Sequence, residues 1–386
     1  MAPIGRGRMV VLHVSGLSRP TRFRVWRRSH ALGGHDALLE RTLSGAGRVP
    51  WFAGRDHQRA SGSRPAVSGA GAAMTGEPPR ISIVVPLYNK AAYIGDTIAA
   101  LANQAPPPAE LIIVDDASTD DSVERCRQAL TEFAKPLSET RQQLILSERN
   151  SGPSHARNRG LQDATGDWIG FQDADDCYTP GALNRIRRAI RACDPTMLVL
   201  GYQSDPAGEH FPDLAALEGE CAALECGLQQ LRTPLLTVTG PDFFMGRASN
   251  VMIRREHLRG LWFDETATLN EGIDFWYRVL RSVLATTPDA RIGLLTEPMI
   301  RFRILPDSLS HQARHRWQDL PPPPSIARYL DSTDPFDQRL IRTLAARWTE
   351  YADWSLKDAS EQRAFFAAHA TLLQRVALRA SSRGEA

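Results

Sequence analysis

Asp173, Asp175 and Asp176 place three carboxylates within four consecutive positions, in the run Gln-Asp-Ala-Asp-Asp that closes the apolar segment DWIGF. Like charges held this close raise one another's pKa unless a cation lies among them. A hard divalent ion relieves the repulsion, and Mg²⁺ or Mn²⁺ bound through one or two carboxylates completes its shell with water and substrate phosphates. The chemistry on offer is therefore the handling of a diphosphate. An Asp-rich run is also what a solvated turn before a helix looks like, here the helix that starts near Pro180. A second acidic pair, Asp115-Asp116, ends the segment LIIVDD, where helix capping or turn formation is the structural use of such residues.

These carboxylates follow short apolar runs that alternate with helical patterns, the signature of a parallel α/β sheet. ISIVVP (81–86) is expected as a buried strand, followed by an amphipathic helix over 91–104 that the APPPAE segment breaks. LIIVDD (111–116) is a second strand, and Ser118-Thr119-Asp120 offers caps for a helix reaching about residue 134. A third strand at 144–147, a helix over 153–164 and a fourth strand ending at Phe171 complete the pattern. Polar residues recur immediately after strand C-termini, the edge at which open α/β sheets bind ligands.

Four segments in this order, SIVVPLYNKAAYI, LIIVDDASTDDS, NSGPSHARNRGL and FQDADDCYTPGAL, resemble the family 2 glycosyltransferases, whose nucleotide-sugar-binding domain has the GT-A fold. The resemblance is strong over about 80–200, weaker over 245–310, and sets a glycosyltransferase domain at 79–312. It implies a Rossmann-type α/β architecture: a mixed, mostly parallel sheet flanked by helices, with a helical C-terminal tail. By the same resemblance Pro86 and Tyr88 seat the nucleobase, and Asp116 accepts a hydrogen bond from the uracil imide, which favours a UDP-sugar. Arg157 and Asn158 point toward the donor, where Arg157 neutralises phosphate or orders Asp175. Asp173 begins the Asp-x-Asp motif, Asp175 contacts ribose or sugar, and Asp175 with Asp176 holds the Mn²⁺ or Mg²⁺ cofactor.

Inverting transfer needs a general base that takes the acceptor hydroxyl proton as its oxygen attacks the anomeric carbon. The family uses an aspartate in a Glu-Asp-x-Asp-Phe-Trp pattern, and the matching stretch here is Glu271-Gly272-Ile273-Asp274-Phe275-Trp276. Gly272 stands at the aspartate position. The role falls first to Glu271 and next to Asp274, or else the domain binds a nucleotide-sugar without turnover. RFRILPDSLSH (301–311) resembles a late family segment whose histidine slot holds Ile304 or Leu305; His311 lies farther on, and Ser308 and Ser310 are available to the diphosphate.

The chain has 386 residues, with 42% hydrophobic and 23% charged residues and a net charge of +2, ordinary values for a folded protein. Its basic residues are scattered, so nucleic acid is not an implied partner. No run approaches the roughly 20 apolar residues that span a bilayer, so membrane contact is expected to be peripheral. The five cysteines form no CxxC pair and read as free thiols of a reducing cytoplasm, with any membrane association at the inner face. Residues 1–78 are rich in Arg, Gly, Ser and Ala without periodicity and are expected as a disordered extension, and MVVLHVS within them is too short for a signal peptide. PPPP (321–324) is expected as a stiff spacer before helices over 325–380. A dinucleotide oxidoreductase would need Gly-x-Gly-x-x-Gly after the first strand, where this chain has Pro-Leu-Tyr-Asn-Lys. A nucleotidyltransferase would want a glycine-rich basic phosphate loop there, also missing. The expected acceptor is a glycan or lipid-linked oligosaccharide of polysaccharide biosynthesis.

Overall fold

The computed structural model describes residues 77–381 apart from 213–216, 218, 225–227, 241–244 and 306–312. The expected extension through residue 76 lies outside the described residues, as do Cys226, Ser308, Ser310 and His311.

The strands are β1 (Ile81–Leu87), β2 (Glu110–Asp115), β3 (Arg141–Leu146), β4 (Trp168–Phe171), β5 (Cys177–Tyr178), β6 (Met197–Asp205), β7 (His210–Phe211), β8 (Cys221–Ala223), β9 (Leu228–Leu231), β10 (Val251–Arg254) and β11 (Ile292–Arg303). They form one mixed sheet in the order β3-β2-β1-β4-β10-β6-β11-β9-β8, with β5 on β11 and β7 on β6. The half that holds the aspartates, β3-β2-β1-β4, is parallel throughout. Helices α1 (Ile94–Ala102), α2 (Ser122–Glu132), α3 (Pro153–Asp163), α4 (Ala182–Cys193), α5 (Pro234–Val238) and α6 (Glu271–Thr286) flank it, followed by α7 (Pro324–Tyr329), α8 (Pro335–Ser355) and α9 (Ala359–Ser381).

Period-2 alternation explains the two layers. Ile81, Ile83, Val85 and Leu87 of β1, with Leu111 and Ile113 of β2, bury one face against α1, α2 and α4. Val84, Ile112 and Val114 bury the other face in a core shared with α3, α6 and the C-terminal helices. Gly160 lets α3 lie directly on this face, because a Cβ there would run into Val84 and Val114. The proline run does not divide two cores. Pro324 is the first residue of α7, and Leu320, Ile326, Leu344, Trp348 and Phe365 sit in the same cluster as Phe275 and Trp276 of α6. Among the described residues no helix is long and apolar enough to cross a membrane.

Glu110, at the start of β2, anchors the parallel half from its N-terminal edge. It is fully buried, and its carboxylate accepts from the Ser82 hydroxyl at 2.6 Å, the Thr165 amide at 2.8 Å and the Thr165 hydroxyl, with Arg141 at 3.3 Å. Burial would raise its pKa, but the hydrogen bonds from Ser82 and Thr165 and the Arg141 charge prevail and hold it at about 2. The folded-state value lies below the unfolded one, so the contribution is complete above about pH 4.5 and is lost as the pH falls toward 2. Glu110→Gln is expected to cost about 3 kcal/mol at pH 7. Denaturant titrations should show the gap to wild type narrowing at pH 3, and a gap independent of pH would contradict this role.

Candidate active site

The order of the strands reverses at β1: the chain first builds outward through β2 to β3 and then places β4 on the other side of β1, a switch point at which a crevice opens at the C-terminal ends of the parallel strands. Three loops meet there. The β1 loop carries Tyr88, Asn89 and Lys90; Asn89 takes a left-handed backbone (φ 50°), its amide donates to Ser118 Oγ at 3.0 Å, and its side-chain oxygen accepts from the Thr119 amide at 2.8 Å. The β2 loop carries Asp115 and Asp116, and Ala117 there is also left-handed (φ 58°). Two non-glycine residues with positive φ, in facing loops, mark backbone that its surroundings hold in a costly conformation.

The β4 loop carries the aspartates. The Thr97 hydroxyl of α1 lies 2.8 Å from the carbonyls of both Ala174 and Asp176, and β5 pairs with β11 immediately beyond. That pairing brings the Arg303 amide to Asp176 Oδ1 at 3.0 Å. Asp176 is completely buried, and its Oδ2 has no hydrogen-bond partner among the described residues. Burial first, then the charges of Asp173 and Asp175, push its pKa well above the usual carboxylate range. Asp175 is also raised, by burial and then by Asp173, although Lys90 Nζ lies 2.9 Å from its Oδ2.

Among the described residues no three His, Cys, Asp or Glu side chains converge as a ready metal cage. The residues nevertheless fit a hard cation that borrows phosphate oxygens: the donors are all oxygen, Asp176 keeps an unpartnered oxygen, and the triad carries excess negative charge. Asp175 is the more open of the two expected ligands, with 16% of its side chain exposed.

Arg157 joins the triad to α6. Only 5% of its side chain is exposed; Nη2 donates to Asp173 Oδ1 at 2.8 Å, Nη1 donates to Glu271 Oε1 at 3.1 Å, and the guanidinium lies over Phe263. Glu271 is the first residue of α6, whose N-cap Asn270 is left-handed (φ 60°), and 22% of its side chain is exposed. Asp274 is placed differently. It is buried, Oδ2 accepts from Arg278 Nε at 2.8 Å, and Oδ1 accepts from Ser325 Oγ at 2.8 Å and Arg328 Nε at 3.4 Å. Its carboxylate ties α6 to α7.

Other expected donor contacts are engaged within the protein. Asp116 accepts from the amides of Ser151 at 3.0 Å and Gly152 at 2.6 Å, which fixes the start of α3. Asn158 clamps the 263–265 segment, exchanging hydrogen bonds with the Phe263 backbone and donating to Glu265. Pro86 lies in β1 beside Val114, and Tyr88 is 41% exposed at the crevice edge.

Sequence reasoning did not single out Lys90, Arg247 or Arg303. Lys90 and Arg303 belong to segments that drew notice for other residues, so their basic character was the available signal. Arg247 had none. Its guanidinium lies 3.3 Å from the Phe302 ring centroid and 4.9 Å from that of Tyr202.

Gly272 also has a physical reason. A Cβ at this position would come within 2.9 Å of the Gly246 carbonyl oxygen and 3.0 Å of the Ala248 amide nitrogen, both backbone atoms. The space that an aspartate would need is filled by segment 246–248. In most helices alanine is more stable than glycine by up to about 1 kcal/mol, but here Gly272→Ala is expected to destabilise by about 1–3 kcal/mol through overpacking. Thermal denaturation checks this, and a more stable variant would contradict the close approach.

Comparison with known proteins agrees with this fold. Residues 82–260 match the family described as Glycosyl transferase family 2. An uncharacterized glycosyltransferase of Haemophilus influenzae is 40% identical over 98 residues, covering 25% of this chain and 37% of the relative. The succinoglycan biosynthesis protein ExoO of Rhizobium meliloti is 30% identical over 222 residues, covering 54% and 56%. The chain thus spans little more than half the length of these curated relatives, at most. The crystal structure of S. aureus TarS 1-349 in complex with UDP-GlcNAc has the same fold, with a TM-score of 0.57 at 19% identity over 77% of this chain and 81% of that one.

Proposed function

The chain carries a family 2 glycosyltransferase domain of the GT-A fold, and from that premise we propose that it is an inverting transferase moving a sugar from a UDP-sugar to a glycan or lipid-linked acceptor. The observation that carries the reading is the Arg157 bridge, which sets Glu271 beside the Asp173–Asp176 loop at the crevice. Glu271 is the general base. It takes the proton of the acceptor hydroxyl while that oxygen bonds to the anomeric carbon, and the bond from that carbon to the diphosphate breaks, releasing UDP. A divalent ion held by Asp175 and Asp176 would supply charge stabilisation of the leaving diphosphate. The relatives' names support a role in polysaccharide biosynthesis.

A second reading rests on Gly272. With the usual base position closed by backbone, the domain binds a nucleotide-sugar without turning it over. Thermal-shift titration with UDP-, GDP- and dTDP-sugars, with and without Mn²⁺, tests donor binding in both readings, because a ligand of the native state raises its stability. UDP-sugars are expected to raise the melting temperature, more so with Mn²⁺. No shift with any nucleotide-sugar would contradict both.

A further inference from the structure

We infer that Arg247 is a binding residue for the phosphate oxygens of the donor. The inference rests on the nucleotide-sugar reading above and assigns a residue that the motifs do not contain.

Position is the first observation. Segment 246–248 packs against the first turn of α6, so close to Gly272 that no Cβ fits between them, and Glu271 is the adjacent residue. The Arg247 side chain lies on Phe302, whose neighbour Arg303 bonds its amide to Asp176. Arg247 therefore spans the gap between the aspartate loop and the helix that bears Glu271.

Charge accounting is the second. Lys90 is paired with Asp175, Arg157 with Asp173 and Glu271, and Arg303 with Asp96. Arg247 has no carboxylate within ion-pair distance among the described residues, acting on buried Asp176 only at longer range, and its buried Nε has no hydrogen-bond partner among them. A nucleoside diphosphate brings further negative charge to a loop that already holds three carboxylates, so an uncommitted cation is what the site requires. Stacking on Phe302 and Tyr202 holds the planar guanidinium in place without consuming its terminal N–H donors. A guanidinium so oriented suits paired phosphate oxygens, and a lysine would lack both the stack and the fork.

The test is nucleotide binding by calorimetry in EDTA, which removes the metal contribution, with UMP, UDP and UDP-glucuronic acid as probes for wild type, Arg247→Ala and Arg247→Lys. One charged hydrogen-bonding group supports an expected loss of about ten- to hundredfold in UDP affinity for Arg247→Ala. UMP affinity should fall much less, so the preference for UDP over UMP collapses. Arg247→Lys should recover part of it. Equal loss for UMP and UDP would signify a merely structural role and overturn the assignment, as would unchanged UDP binding. A loss confined to UDP-glucuronic acid, with UDP unaffected, would place the guanidinium on a sugar carboxylate and likewise overturn it. If wild-type protein binds neither nucleotide, the nucleotide-sugar reading itself fails, and Arg247 with it.

Discussion

Glu271→Gln is expected to lower turnover by about 10²–10⁴-fold while leaving affinity for UDP-sugar within about twofold, the range general-base assistance contributes. Glutamine retains an oxygen that can accept from Arg157 Nη1, now 3.1 Å from Oε1 of the glutamate. The α6 N-terminus and the bridge to the aspartate loop should therefore persist, and only the capacity to take a proton is removed. Asp274→Asn should behave differently. Its carboxylate is buried among Arg278, Ser325 and Arg328, so the variant weakens the joint between α6 and α7 and should register mainly as lower stability. Steady-state kinetics with paired thermal melts separate the two. A larger loss of turnover at intact stability for Asp274→Asn would move the base role to that residue.

Arg157→Met is expected to cost about 2–3 kcal/mol of stability and most of the activity together. Breaking a buried ion pair typically costs about 3–5 kcal/mol. The lower figure applies because Asp173 and Glu271 keep 29% and 22% of their side chains exposed and regain some hydration. For a chain of this size the melting temperature should fall by roughly 5 °C. The variant retains the aliphatic packing beside Phe263 but leaves two carboxylates facing each other across the crevice. Arg157→Lys should not rescue it, since an ammonium lacks the planar fork that reaches both partners. Wild-type turnover in Arg157→Met would show that the bridge has no part in placing Glu271.

The parallel half of the sheet was legible because its information is local. Apolar runs at 83–87 and 111–114 follow from strands buried on both faces, and polar residues directly after them mark the edge at which such sheets bind ligands. The aspartate loop was legible for the same reason. What could not be read depends on contacts between distant segments. Arg157 and Glu271 are 114 positions apart, and Asp116 meets the Ser151 amide 35 positions on. Gly272 looked like a lost aspartate, yet its cause lies in backbone at 246–248, which no pattern around position 272 records. The proline run at 321–324 looked like a spacer, because sequence does not show that Trp348 and Phe365 return to the core of Phe275 and Trp276.

The most direct measurement is UDP release by wild type and Glu271→Gln, from a set of UDP-sugars with Mn²⁺ and no acceptor, so that water serves as the nucleophile. Wild-type protein is expected to release UDP from at least one donor, and Glu271→Gln to bind that donor equally well while releasing UDP at least about 100-fold more slowly. Donor binding by wild type without any UDP release, or equal release by both proteins, would contradict catalysis by Glu271.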